Sequence, residues 1–261
     1  RDNRAYFTDE RYLFLGKFGY APSRWMRWHL TGAIQRHQIE RGAYVEGDEK
    51  SIEEVFPSES MAPGMNIDPQ NFSGELALSL DFRNERGRPT SGFWGEGYVG
   101  YHEGTGSDGV NYIRYGGEAQ GYLPLGNRRT FVLRVAGEEA RTDGKRPIKI
   151  TELMTLGGRS SLRGYHEDRF RDQASLLATA EYRYPISPFA EMCFFADFGK
   201  VMPRLLDFDL DDIHRSWGGG LRIAMVDEFY FRAQAAASDE DFIVFATLES
   251  AFQRDDRRDR R

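Results

Sequence analysis

Hydrophobic and polar residues alternate along most of this chain with a period of two. In the stretch ASLLATAEYRYP at 174–185, small, aliphatic and aromatic side chains occupy the even positions, while Thr179, Glu181 and Arg183 occupy odd ones. This is the period of a β-strand, whose successive side chains point to opposite faces of the sheet. Turn residues separate eleven such candidate strands, which lie near 10–20, 25–40, 73–85, 91–103, 111–123, 129–141, 172–185, 189–201, 215–226, 228–238 and 241–252.

The two faces of these strands differ in a way that selects the fold. The polar faces carry charges of both signs, whereas the apolar faces are rich in aromatic residues, of which the chain has 13 Tyr, 19 Phe and 4 Trp. An apolar outside and a polar lumen are what a transmembrane β-barrel requires. We therefore predict an all-β fold, an antiparallel transmembrane β-barrel with eleven visible strands. A soluble β-sandwich, whose polar faces meet water, is the alternative.

The links between the strands alternate in length. Those after the odd-numbered strands are short, and those after the even-numbered strands are longer, except for 239–240. Outer-membrane barrels have short periplasmic turns and longer extracellular loops, so the first visible strand starts on the extracellular side. We expect residues 1–252 to form a barrel of 12 or 16 strands from which one or more N-terminal strands are missing. Residues 253–261 are expected to form a charged tail.

Composition narrows the classes of function. No apolar run approaches the ~18 residues of a membrane-spanning helix, and a net charge of −6 argues against nucleic acid as a partner. Cys193 is the only cysteine, which excludes a disulfide framework and a cysteine zinc site. Ser160 and Ser161 lack a nucleophile elbow, and the His-Glu-Asp run at 166–168 points to alternating sides. The acidic loop 202–214 lacks the EF-hand spacing and is expected to be solvated. We predict no catalytic residue, no metal site and no cofactor.

Six segments between residues 73 and 252 follow one another in a characteristic order. They are LSLDFRNERGRPTSGFWGEGYVGY, YGGEAQGYLPLGNRRTFVLRV, GGRSSLRGY, EYRYPI, FFADFGKV and WGGGLRI. Their order and spacing resemble the bacterial surface antigen family, to which the barrels of BamA, TamA and the FhaC-type secretion transporters belong. The resemblance implies an outer-membrane barrel that inserts or translocates outer-membrane proteins.

The third segment contains the family's Val-Arg-Gly-Tyr/Phe motif, with leucine in place of valine. Its residues here are Leu162, Arg163, Gly164 and Tyr165. The resemblance implies that they form the tip of a long extracellular loop that folds back into the lumen. It also implies that Arg163 pairs with Asp197 and lies near Glu181. Asp197 stands in the strand motif that runs from Phe195 to Gly199. Gly164 would permit a backbone reversal beside the arginine.

Strand alternation supports the same pairing independently of the resemblance. Glu181 and Asp197 both lie on the polar faces of their strands, so both carboxylates should point into the lumen. A guanidinium is always charged and engages carboxylates in a forked geometry. An arginine in a partly dewatered lumen needs such partners, because an unpaired buried charge is costly.

The resemblance also implies where the barrel acts. An incoming strand would pair with an opened edge between the first and last strands. The edge in this chain would be the seam strand 241–252, with Phe242 and Phe252 at its ends. The implied location is the bacterial outer membrane, and the implied partners are lipid, lipopolysaccharide, unfolded outer-membrane protein clients and periplasmic accessory proteins. The alternative function is a barrel anchor or export pore for an N-terminal enzyme or passenger domain absent from this chain.

Overall fold

The computed structural model describes residues 7–41, 70–86, 88–105, 109–142, 146–224 and 229–250. Within these residues the chain forms strands and two short 3-10 helices. The strands are β1 (Phe7–Ser23), β2 (Met26–Arg41), β3 (Gln70–Asp81), β4 (Gly92–Gly104), β5 (Tyr112–Pro124), β6 (Thr130–Thr142), β7 (Met154–Leu156), β8 (Phe170–Asp172), β9 (Ala174–Pro185), β10 (Ala190–Met202), β11 (His214–Ala224), β12 (Phe229–Ala237) and β13 (Phe242–Ser250). The 3-10 helices are η1 (Ile150–Glu152) and η2 (Leu205–Asp207).

Eleven strands form one antiparallel sheet in the order β1-β2-β3-β4-β5-β6-β9-β10-β11-β12-β13. The other two, β7 and β8, form a separate ribbon within the connection between β6 and β9. Each strand of the large sheet matches a predicted strand to within a few residues, so the all-β barrel fold is confirmed. Each strand of the sheet pairs with its neighbours along the chain, apart from the ribbon β7–β8, and the tight links, such as Arg24–Trp25 between β1 and β2, leave no room for a crossover.

The two faces of the sheet differ as the alternation predicts. Large apolar side chains point outward from the wall, and Phe14, Val135 and Val244 are 77%, 51% and 68% exposed. Charged and polar side chains point inward and are buried, including Glu181, Asp197 and Arg222. This is the reverse of a soluble sandwich, in which the apolar face would be covered. The outward face is therefore an apolar surface suited to lipid.

The sheet curls around one long connection. Arg88, in the turn between β3 and β4, forms an ion pair of 2.7 Å with Glu191 on the inner face of β10. Residues 146–173, which we call the lumen loop, pack against the inner faces of β5, β6, β9 and β10. Two apolar clusters fill the contact. One contains Tyr112, Ile148 and Met154, and the other contains Leu162 with residues of β7 and β9. Within the described residues, no helix is long and apolar enough to cross a membrane.

The strands β1 and β13 stand at the two ends of the sheet. In the part of the chain that the structure describes, β1 pairs with β2 alone and β13 with β12 alone. The total of 12 or 16 strands stays a prediction. Phe252 and the tail 253–261 lie outside the described residues.

Candidate functional site

The tip of the lumen loop is a compact series of turns between β7 and β8. Gly157 and Gly158 have φ of +122° and +88°, a region that side chains rarely adopt. The Ser161 hydroxyl accepts a hydrogen bond from the Gly157 amide and donates one to the Gly157 carbonyl, both at 2.8 Å. The amide of Tyr165 donates to the carbonyl of Leu162. The Gly-Gly-x-Ser-Ser sequence thus closes the loop on itself and presents residue 163 to the wall.

Arg163 contacts both of the carboxylates that the sequence singled out. Its Nε and Nη2 donate to Oδ2 and Oδ1 of Asp197 at 3.0 and 2.7 Å. Its Nη1 donates to Oε2 of Glu181 at 3.0 Å. The backbone amide of Arg163 adds a weaker hydrogen bond of 3.3 Å to Asp197. The arrangement is a fork on one carboxylate with a third contact to a neighbouring strand, a geometry that only a guanidinium provides.

Asp197 is fully buried and accepts two further hydrogen bonds from the wall. The hydroxyls of Thr179 and Ser216 each donate to it at 3.0 Å. Both residues lie directly opposite Asp197 in the register of the sheet, one on β9 and one on β11. Neither residue was predicted from the sequence to contact Asp197. The alternation of polar and apolar residues places both side chains on the polar faces of their strands. It does not give the register between strands, which brings them to Asp197.

Phe195 and Gly199, the two ends of the strand motif, shape the space around the arginine. The carbon at the centre of the guanidinium lies 3.3 Å from the centroid of the Phe195 ring, so the ring supports the charge through a cation–π contact. A Cβ on Gly199 would lie 2.9 Å from a methyl of Leu156 and 3.2 Å from one of Leu162. The glycine therefore leaves room for the buried Leu162 beside the wall.

Gly164 has a different role from the one expected. The turn is present, but the φ of Gly164 is not in the left-handed region. A Cβ at this position would instead lie 2.7 Å from the backbone carbonyl of Ala237 in β12. The glycine is needed because the loop approaches the backbone of the wall closely.

The carboxylates belong to a longer series of ion pairs on the inner face. Glu181 also accepts a hydrogen bond of 2.8 Å from Arg183, and Glu191 accepts one of 2.9 Å from Arg222. Burial alone would lower the pKa of Arg163, but the hydrogen bonds and charges of Asp197 and Glu181 outweigh it and raise that pKa. Arg163 therefore stays charged in the lumen.

A second anchor holds the opposite end of the lumen loop. The buried carboxylate of Glu152, in η1, accepts hydrogen bonds from Gln35 at 2.8 Å, Asn71 at 2.9 Å and Tyr112 at 2.6 Å. These donors lie on β2, β3 and β5. Glu152 was not predicted from the sequence, because a single acidic residue in a long loop carries no periodic signal.

A third set of contacts joins the loop to the link between β12 and β13. The Tyr165 hydroxyl donates to Asp239, and Arg169 forms a forked pair with Glu240 at 2.9 Å. The Ser238 hydroxyl donates to the Gly164 carbonyl at 2.7 Å. Both burial and Asp239 raise the pKa of the Tyr165 hydroxyl, so it remains a donor. The tip of the loop is thus bound to the last hairpin of the sheet.

The other residues considered for catalysis or metal binding do not form a common site. His166 lies 3.5 Å from Asp241, whereas Asp168 contacts Thr155 and Arg171. No group of three or more His, Cys, Asp or Glu side chains among the described residues is arranged to hold a metal ion. The assembled groups are carboxylates already bound by donors, an arrangement that fixes the loop in place.

The seam strand is partly visible as β13. Phe242 is 70% exposed on the outward face, and β13 is bonded on one side to β12 through nine register pairs. Its other side has no partner strand within the described residues.

The chain is similar to a known protein family in sequence and to two solved structures in fold. The Omp85 superfamily domain matches residues 5–225. BamA from Haemophilus ducreyi lacking POTRA domains 1-3 is 15% identical, with a TM-score of 0.70, over 95% of this chain and 56% of that one. CdiB from Acinetobacter baumannii is 12% identical, with a TM-score of 0.58, over 93% of this chain and 42% of that one. The chain thus spans about half the length of these structures, and at such identities they show the fold alone. No curated protein sequence matches the chain.

Proposed function

The chain belongs to the Omp85 superfamily, and on this premise we propose that it is the barrel of an outer-membrane protein that inserts or translocates other outer-membrane proteins. Superfamily membership supports the coarse role and the location in the bacterial outer membrane. The finer role concerns how the barrel handles a client. We infer that it acts without bond chemistry, by offering a strand edge to which a client can pair.

The edge strand β13 is the observation that carries this proposal. A strand with one free side presents unpaired N–H and C=O groups, which are a template for another strand. Pairing by β-augmentation supplies main-chain hydrogen bonds regardless of the client's sequence, and alternate side chains adjust the fit. In β13 those alternate side chains are Phe242, Val244 and Leu248, all more than 60% exposed. An apolar outward row suits a strand that must end up facing lipid.

The lumen loop would hold the inner wall beside this edge. Arg163 ties the tip of the loop to β9 and β10 through Glu181 and Asp197, and Tyr165 ties it to the link before β13. We propose that Leu162, Arg163, Gly164 and Tyr165 position the loop, and that Asp197 and Glu181 are its anchoring carboxylates. The partners in this proposal are outer-membrane lipid and lipopolysaccharide, unfolded outer-membrane protein clients and periplasmic accessory proteins.

Site-specific photocrosslinking in the full-length protein tests the proposal. A photoreactive amino acid at Val244 in β13 should capture an outer-membrane protein client during its assembly, with the strongest yield for the terminal strand of the client. The matched control is Val135 in β6, a valine that is also outward and 51% exposed but lies between two paired neighbours. Equal yields at both sites, or no client at Val244, would contradict client pairing. The barrel would then be better explained as an anchor for another domain.

A further inference from the structure

The link between β10 and β11, predicted from its acidic sequence to be a solvated loop, is exposed along most of its length and also contacts the wall of the sheet. We call residues 203–213 the outer loop. The amide of Leu205, in η2, donates a hydrogen bond of 3.0 Å to the carboxylate of Glu139 in β6. A Cβ on Gly137 would lie 3.8 Å from the Leu205 side chain. The outer loop therefore crosses β9 to reach β6.

The face that it covers is the outward one. Glu138 points inward, where it accepts hydrogen bonds of 2.8 Å from Tyr98 and Arg114. Its neighbours Gly137 and Glu139 must point outward, since successive residues of a strand face opposite sides. Glu139 is nevertheless only 3% exposed. The outer loop contributes to this burial by binding the carboxylate through Leu205, and Arg141 pairs with the same carboxylate at 3.3 Å.

The outer loop lies at the upper margin of the apolar band. Along β10 the outward positions Met192, Phe194 and Phe198 are exposed and apolar, and the next outward position is Lys200. Lys200 donates to Asp209 and to the carbonyl of Asp211, so the loop covers this lysine. The loop thus occupies the height at which a membrane barrel passes from hydrocarbon to headgroups.

The outer loop presents two highly exposed leucines, and two of its acids are paired with basic residues. Leu206 and Leu210 are 88% and 76% exposed. Two of the neighbouring acids are paired: Asp207 accepts a forked contact from Arg204 at 2.8 and 3.0 Å, and Asp209 is bound by Lys200. The hydrogen bond from Arg204 lowers the pKa of Asp207, as expected for a pair that stays ionised.

We propose that the outer loop is an interfacial anchor that inserts Leu206 and Leu210 into the outer leaflet beside the barrel wall. Its partner is lipid, because the loop continues the lipid-facing band and two of its acids, Asp207 and Asp209, already have cations. Lipid contact here would fix the height of β9 and β10, the two strands that hold the lumen loop. The inference rests on the membrane placement given under Proposed function.

Fluorescence quenching in vesicles tests this anchor. Cys193 is fully buried, so a Cys193→Ser background of the full-length protein allows single labels at Leu206→Cys and Leu210→Cys. Phe198→Cys, on the apolar band, is the control for lipid contact, and Asp212→Cys, at an exposed position of the same loop, is the control for water. Each labelled protein is inserted into phospholipid vesicles and quenched with a spin-labelled lipid or with a water-soluble quencher.

Labels at 206 and 210 should show blue-shifted emission and quenching by the lipid-borne probe, resembling 198 and not 212. Quenching only from water at 206 and 210, with 198 still in lipid, would overturn the anchor and leave the proposed function standing. Protection from both quenchers would indicate a protein partner or a second copy on the loop and would also overturn it. Water quenching at 198 as well would instead show that the membrane placement is wrong.

Discussion

Replacing Arg163 with alanine is the most direct perturbation of the lumen loop. The substitution removes two hydrogen bonds to Asp197 and one to Glu181, together with the contact to the ring of Phe195. Glu181 keeps Arg183 as a partner at 2.8 Å. Asp197 is the carboxylate that loses its charged partner. It is fully buried, and it retains only hydrogen bonds from two hydroxyls and one long contact from a backbone amide.

The loss of stability expected for Arg163→Ala follows from the buried carboxylate of Asp197, which remains charged without a cationic partner. Breaking a buried ion pair by removing one partner costs roughly 3–5 kcal/mol. Because each 1.4 kcal/mol is a factor of ten, the loss corresponds to about two to three and a half orders of magnitude in the equilibrium between the folded and unfolded barrel. Arg163→Lys should fall between the wild type and the alanine variant, since it keeps the charge but loses the fork.

Heat modifiability on electrophoresis gels measures this effect. The folded fraction is followed after heating for a fixed time at increasing temperatures, because irreversible unfolding makes the midpoint depend on heating time. Arg163→Ala should lower the midpoint, whereas Arg159→Ala, at an exposed position of the same loop, should leave it unchanged. A charge exchange of Arg163 with Asp197 should restore the midpoint in part.

The double variant Arg163→Ala with Asp197→Asn tests the reasoning itself. If the cost arises from a buried charge without a partner, neutralising that charge should recover much of the midpoint. A double variant no more stable than Arg163→Ala would refute the stranded-carboxylate explanation. Unchanged assembly and heat modifiability in both Arg163→Ala and Asp197→Ala would refute the anchoring role of the pair.

Three further substitutions test other contacts of the loop. Gly164→Ala should lower the same midpoint by overpacking against the backbone of β12, at a cost of about 1–3 kcal/mol, whereas a Cβ from Gly121→Ala would meet nothing within 4 Å and should be tolerated. Glu152→Ala removes the acceptor that three buried donors share and should cost roughly 1–3 kcal/mol, measured on the same gels. Tyr165→Phe should speed deuterium uptake by residues 229–250, measured by mass spectrometry, without changing uptake in β4.

The strands and their faces were predictable because a barrel wall is periodic. Each strand exposes every second residue to lipid, so the alternation of Ala174–Pro185 already assigned the side of Glu181. The partners of Arg163 were predictable for a different reason, since a known motif order supplied the pairing and parity allowed it. Neither source gives the lateral alignment of strands, and Thr179 and Ser216 were missed for that reason.

The loops were less predictable because they have no period. Glu152 was indistinguishable by spacing from other acids of the lumen loop, and it became a site only when three strands brought their donors to it. The outer loop was expected to be solvated because it is acidic. It is exposed, but its contact with the wall through Leu205 and the pairing of Asp207 and Asp209 with Arg204 and Lys200 depend on the folded structure and have no signal in the sequence.

The contacts of the lumen loop differ in strength, so we expect some of them to break before others. The anchor at Arg163 joins buried charges, so breaking it leaves an uncompensated charge. The contacts with the last hairpin are more accessible, since the side chains of Arg169 and Glu240 are both 23% exposed, so water can solvate both charges when this pair breaks. Within the part of the chain that the structure describes, β13 pairs with β12 alone, so the lumen loop and β11 provide the contacts that hold this hairpin in place. We therefore expect the hairpin β12–β13 to detach from the loop at low cost while Arg163 stays bound, which would free the edge strand without releasing the lumen.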